Sequence, residues 1–186
     1  MAKSDFSQMK EFTQKLQRLA TGAEQEKFYQ ECARELAARF LAKVIKRTPV
    51  GVGTFEAKTD KKGKTRFQRV SAGGTLRRGW TARTEAEALS SGGKNPAAYA
   101  QTMLVQKTGK TYEITIINPV SYASYVEYGH RQTPGRYVPA IGKKLKAGWV
   151  KGHFMMTISA DELQSEAPGI LEKRFADFLK EVLKGK

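Results

Sequence analysis

Cysteine occurs once, at Cys32, so an intrachain disulfide and a cysteine-rich zinc or iron–sulfur site are both excluded. A reducing compartment is expected. Histidine is almost as scarce. His130 and His153 stand far apart in the chain, with no His-x-x-x-His pair and no carboxylate cluster beside either. A metal ion would therefore have to be assembled entirely by the fold. No window approaches 18 uninterrupted apolar residues, and the N-terminal MAKSDFSQMKEF lacks the apolar core of a signal peptide. Neither secretion nor membrane insertion is expected; the protein is read as made and used in the cytoplasm, or released from it by lysis. There is no Gly-x-Ser-x-Gly elbow. Gly51-Val52-Gly53 lacks the strand–turn–helix setting and the Lys-Ser/Thr ending of a phosphate loop. Enzyme readings have no anchor, and no cofactor is implied.

What is abundant is positive charge, a formal net +15 in 186 residues. Its distribution says more than its total. Residues 51–80 hold eight cations against two acids, and residues 118–160 hold six against one. Both stretches read as loops. An apolar fraction of 40% over this length suffices for one domain whose core needs no staple. The 17 glycines and a mean hydropathy of −0.53 predict long polar connections as well.

The first 48 residues read as helical. Ser4 can cap a segment in which Phe6, Met9, Phe12, Leu16 and Leu19 recur at helical spacing. Thr21-Gly22-Ala23-Glu24 matches a capping box opening a second helix, whose stripe is Phe28, Cys32, Leu36, Phe40 and Val44 and which Pro49 stops. On that stripe Cys32 reads as a small buried hydrophobe and is assigned no chemistry.

Between Gly51 and Gly74 no apolar period survives, and a flexible basic loop is expected. Its Lys58, Lys61, Lys62, Lys64, Arg66 and Arg69, with Phe55 and Phe67 interleaved, suit phosphate contact and base stacking. The competing reading is a solvated flap that orders against a neighbouring subunit.

Residues 75–117 read as a sheet. TLRRGWTAR (75–83) alternates like a first strand, and YAQTMLVQ (99–106) and TYEITII (111–117) are joined by a Gly-containing hairpin connection. Tyr112, Ile114 and Ile116 give the last strand an apolar face, and 85–98 reads as a second exposed loop. Asn118-Pro119 predicts a short helix ending at Gly129. On it Tyr122, Tyr125 and Val126 share the core face, leaving Glu127 and Tyr128 outside. Ser159-Ala160-Asp161-Glu162 is a further capping box, and helices are predicted over 159–184, with a stripe of Leu171, Phe175, Phe178 and Val182 after Pro168. Helices, then strands, then helices predict a single α+β domain spanning 1–186, an antiparallel sheet of three or more strands packed on amphipathic helices.

Four of the seven tyrosines fall between Asn118 and Ala140. An exposed tyrosine beside a glutamate, followed by the basic loop GHRQTPGRYVP, has the composition of a protein interface, where Tyr and Arg are enriched. The candidates are Glu127, Tyr128, Arg131, Arg136 and Tyr137.

TLRRGW (75–80), the long segment from Asn118 to Met156 and the closing helix resemble the small neck and tail-component proteins of tailed bacteriophages, also called head–tail joining or tail-completion proteins. Gly74, Leu76, Arg77 and Arg78 match that family's Gly-x-Leu-Arg-Arg element. Tyr122, Ala123, Tyr125, Val126, Glu127 and Gly129 match its Tyr-Ala-x-Tyr-Val-Glu-x-Gly element. GWVKGHFMM (148–156) is most similar to the branch found with contractile tails and in defective, phage-like particles. The resemblance implies a structural virion protein without catalysis, assembled in the host cytoplasm. It would form a homo-oligomeric ring at the top of the tail, beside neighbouring neck, connector or tail-terminator proteins, with DNA passing through the hole. Six copies are expected by analogy with sixfold tails, and twelve are possible on the head side. The alternative is a basic DNA- or RNA-binding protein acting outside any particle, distinguished by a steep salt dependence of duplex affinity. A third reading is an enzyme whose site only the fold assembles.

Overall fold

The computed structural model describes residues 22–51, 55–59, 63, 65–69, 73–90, 92–138 and 143–184. The helix expected over residues 4–19 lies outside them.

Helix α1 (Ala23–Arg47) carries Glu24 and Glu26 in its first turn and Lys46 and Arg47 in its last, charges placed to suit the helix dipole. Gly22 is its N-cap, and Thr21, on which the expected capping box rests, lies outside the described residues. At the other end the Thr48 N–H and hydroxyl both donate to the Val44 carbonyl before Pro49 turns the chain away. The buried face of α1 is Cys32, Ala37, Leu41 and Val44.

The basic stretch contains two described strands. Strands β1 (Phe55–Thr59) and β2 (Thr65–Arg69) form an antiparallel hairpin in which Lys58 faces Arg66 across the ladder. TLRRG is a short helix, α2 (Thr75–Gly79), and not a strand. The alternation of Leu76 with Trp80 is equally an i, i+4 pair, and both side chains are buried against α1. The second expected loop likewise contains helices α3 (Glu85–Ser90) and α4 (Pro96–Gln101). Asn95 caps α4 by accepting from the N–H groups of Ala97 and Ala98, with proline at the first turn. A tight hairpin, β3 (Gln106–Thr108) and β4 (Thr111–Glu113), turns at Gly109, whose φ is 63°. Beyond it Ile114 and Ile116 pack on the core while Tyr112 meets Tyr29 at 5.3 Å.

Helix α5 (Ala123–Tyr128) leads into strand β5 (Gly129–Arg131), then β6 (Tyr137–Val138), β7 (Lys143–Lys144) and β8 (Trp149–Lys151). β5 pairs antiparallel with β8, and β6 with β7. The two pairings are nested and bridged by further backbone bonds, so residues 129–138 and 143–151 run antiparallel as the two limbs of one arm. Helix α6 (Met155–Lys184) is one continuous helix of 30 residues that runs through Pro168, where two helices were expected. It lies antiparallel to α1. Phe28 stacks on Phe178 at 4.5 Å near one end, and Lys43 and Arg47 pair with Glu162 near the other.

The fold is therefore α+β, but its strands form four separate two-stranded ribbons among the described residues, where a sheet of three or more strands was expected. The core lies between α1, the short helices α2 to α4, Val120 and Met155. Helices carry the packing that the alternating segments were expected to give to a sheet.

Candidate docking surface

The arginines and tryptophan of TLRRGW are internal scaffolding. Arg77 donates through Nε and Nη2 to the Thr48 carbonyl at the end of α1, at 3.2 and 2.8 Å. Arg78 donates to the carbonyls of Gly73 and Ala88 at 2.7 and 2.8 Å, tying the foot of the basic hairpin to α3. Trp80 Nε1 donates to Thr48 Oγ1 at 2.8 Å, completing a buried chain that ends on the Val44 carbonyl. Gly79 leaves room for Asn118, whose amide donates to the Leu76 carbonyl at 2.8 Å and whose Oδ1 accepts from the Val120 N–H. Asn118 thus makes a local turn rather than the helix cap expected of it.

Glu127 overturns its expected exposure. It is 4% exposed, and its carboxylate faces the start of α6. There it accepts from the Met156 N–H at 2.9 Å, the Thr157 N–H at 2.9 Å and the Thr157 hydroxyl at 2.8 Å. The first N–H groups of a helix have no partner within it, and a carboxylate supplies both the acceptor and the charge that the dipole favours. The backbone adds two bonds in the same sense. The carbonyls of Val126 and Glu127 accept from the N–H groups of His153 and Phe154. The two chain segments cross so closely that a methyl group at Gly129 would collide with the Val150 carbonyl, and one at Gly152 with the Glu127 carbonyl. Gly129 also has a φ of 85°, where a side chain is strained. The Glu-x-Gly pair therefore fastens α5, the base of the arm and α6 together.

The same brace turns the tyrosines outward. Tyr122 and Tyr125 were expected in the core, yet they are 42% and 59% exposed, and Tyr128 is 56% exposed. Helix α5 is shorter than expected, starting five residues after Asn118, so only Val126 of the predicted face packs on the core. Tyr122 and Tyr125 line a groove of about 560 Å³ with Val50, Leu76, Leu89 and His130. Burial, with the Glu85 carboxylate adding to it, pushes the Tyr122 phenol pKa up. The Tyr125 ring meets the His130 ring edge-on at 5.8 Å. His153 lies on the same rim, so both histidines come together on one groove, a pairing that their separation in sequence conceals.

Arg131, Arg136 and Tyr137 are exposed along the arm, with Arg131 opposite Trp149 and Tyr137 opposite Lys144. Lys58 is exposed on β1, Arg66 and Arg69 lie on β2, and Lys61, Lys62 and Lys64 lie outside the described residues. Among the described residues no group of three or more His, Cys, Asp or Glu could hold a metal ion, and no helix is long and apolar enough to cross a membrane.

A model of the family described as "Bacteriophage HK97-gp10, putative tail-component" matches residues 10–129, well over half of the chain. The chain belongs to the HK97-gp10-like family. It is a structural component of a phage tail, as the resemblance implied, and its place is with the proteins of the virion. No curated protein and no solved structure matches it. The HK97-gp10-like region contains α1 to α5 and ends at Gly129, where the chain passes under Gly152. The arm and α6 lie beyond it.

Proposed function

We propose that this tail component closes into a ring at the top of the tail, where it joins or completes the tail at the head–tail interface and surrounds the DNA channel. A closed ring needs two different patches on each subunit. One is the outward side of α5 and the arm, with Tyr128 and Tyr137 as apolar anchors and Arg131 and Arg136 at their rim; the other is the groove beside Tyr122 and Tyr125. Glu127 serves this surface from within, by fixing the helix that presents it.

The observation that carries the reading is the outward aromatic series from Tyr122 to Trp149, five rings each 42% or more exposed. Solvent-facing aromatics this numerous in one stretch of chain, divided between the two patches, are the composition of an interface that a partner covers. Six copies fit a sixfold tail, twelve fit the head side, and the neighbours would be neck, connector or tail-terminator proteins. The GWVKGHFMM segment favours the contractile branch.

Light scattering with size-exclusion chromatography and negative-stain imaging test this reading. The wild-type chain should give annular particles at high concentration, and Tyr128→Ala should shift it to monomer with its circular dichroism unchanged. A chain that stays monomeric at every concentration and is absent from particles would overturn it.

A further inference from the structure

The arm is charged differently from the body. In the body many cations are matched to carboxylates, Lys43 with Glu162 and Glu166, Arg47 with Glu162, Arg39 with Glu35, Lys107 with Glu26, and Arg174 with Glu31 and Glu35, and the unmatched Lys46, Arg83, Lys110 and Lys173 are scattered along the chain among acids. The arm from Gly129 to Lys151 holds Arg131, Arg136, Lys143, Lys144, Lys146 and Lys151, and no acid. All six are exposed, and none makes an ion pair or side-chain hydrogen bond among the described residues. Six unmatched charges on a two-stranded ribbon repel one another, which is a cost unless a polyanion neutralises them.

We infer that the four lysines of this arm, Lys143, Lys144, Lys146 and Lys151, bind the phosphate backbone of double-stranded DNA. The residue types separate this role from the subunit contact. Arginine is enriched and lysine depleted where proteins meet proteins, whereas lysine is a hydrated point charge on a flexible stem that meets phosphates without demanding fixed geometry. Size agrees as well. Each limb of the arm has about ten residues, at most about 33 Å when extended, close to one helical turn of duplex. A two-stranded ribbon is also narrow enough to lie along a groove and touch the phosphates on either side. Binding of this kind is independent of sequence, as a subunit around a passing genome requires. The inference rests on the neck reading for the presence of DNA, and on the arm's own charge for the chemistry.

The test uses the full chain and a fluorescein-labelled duplex of mixed sequence, with anisotropy followed as NaCl rises from about 50 to about 200 mM. Each phosphate neutralised contributes about 0.9 to the slope of log affinity against log salt, so four lysines contribute about 3.6, or about 150-fold over this fourfold range. The combined Lys143→Gln, Lys144→Gln, Lys146→Gln and Lys151→Gln variant should lose that share of the slope. The four Lys→Arg changes should keep it, which separates charge from any effect on folding. An unchanged slope in the glutamine variant, or no duplex binding by the wild type at low salt, would overturn the inference. Displacement of the duplex by poly-glutamate at equal charge would also overturn it, and would assign the arm to an acidic protein surface. A wild-type chain that forms rings but binds no duplex sinks only this inference. Monomers that keep the slope sink the ring reading and leave the arm's role standing.

Discussion

Replacing Glu127 with alanine takes away the acceptor for two N–H groups and one hydroxyl at the start of α6 while removing no surface aromatic. The Thr157 hydroxyl can turn to water, because that residue is exposed. The two backbone N–H groups are the expensive part. Hydrogen bonds to a charged group contribute about 1.5–3 kcal/mol each, and loss of a helix cap costs about 0.5–2 kcal/mol. With water recovering some of this at a helix end, the expected loss is about 3 kcal/mol. For a chain of this size that is a fall of roughly 6–12 °C in Tm. Glu127→Gln keeps an acceptor without its charge and should lose about half as much. Thermal denaturation followed by circular dichroism, with light scattering on the same samples, checks both numbers. A Tm within about 2 °C of wild type, together with lost assembly, would refute the internal role and return the carboxylate to the subunit interface.

Gly129→Ala should destabilise by more than about 3 kcal/mol or fail to fold, since it adds a methyl group where backbone already lies and forces a strained φ; expression and Tm read this. Trp80→Phe leaves Thr48 Oγ1 without its donor and a gap beside it, and should lower stability by about 2–3 kcal/mol in urea denaturation with an unchanged m-value. Hydrogen bonds from Arg47 and then Lys43 hold the Glu162 carboxyl below its usual range. That stabilisation is present above the unfolded carboxylate pKa and is lost as pH falls through the lower folded value, so Glu162→Gln should flatten the acid limb of Tm against pH. Lys43 is raised, chiefly by Glu166, so its contribution is present below the ordinary lysine pKa and fades as pH rises through the folded one.

The helices with long apolar stripes were legible in the sequence because burial and period agree there. Cys32 and Val44 are buried on α1 as predicted, and α5 ends at Gly129 as expected, though that glycine, at φ 85° and ψ 174°, opens β5 in place of a left-handed cap. TLRRGW misled because four or five residues cannot distinguish a period of two from an i, i+4 pair. What decides for helix is the set of carbonyls that Arg77 and Arg78 reach, and those belong to distant residues. Glu127 was misplaced for a similar reason. A helical wheel correctly sets it apart from Val126, but its partner on that side is the start of another helix almost thirty residues on. The outward tyrosines follow from the same contact, since seating Glu127 on α6 turns the side of α5 that bears Tyr125 to solvent, and Tyr122 precedes the helix. The arm was legible as charge and not as shape, because no apolar alternation marks its strands.

The crossing of Gly129 with Gly152 has one more consequence. Both limbs of the excursion are pinned where they depart, so its length is uncoupled from the body. Residues inserted or deleted in facing pairs would lengthen or shorten the two limbs while α5, α6 and the braces between them keep their places. A tail subunit built this way has an adjustable spacer, whose reach can change without redesign of its fold.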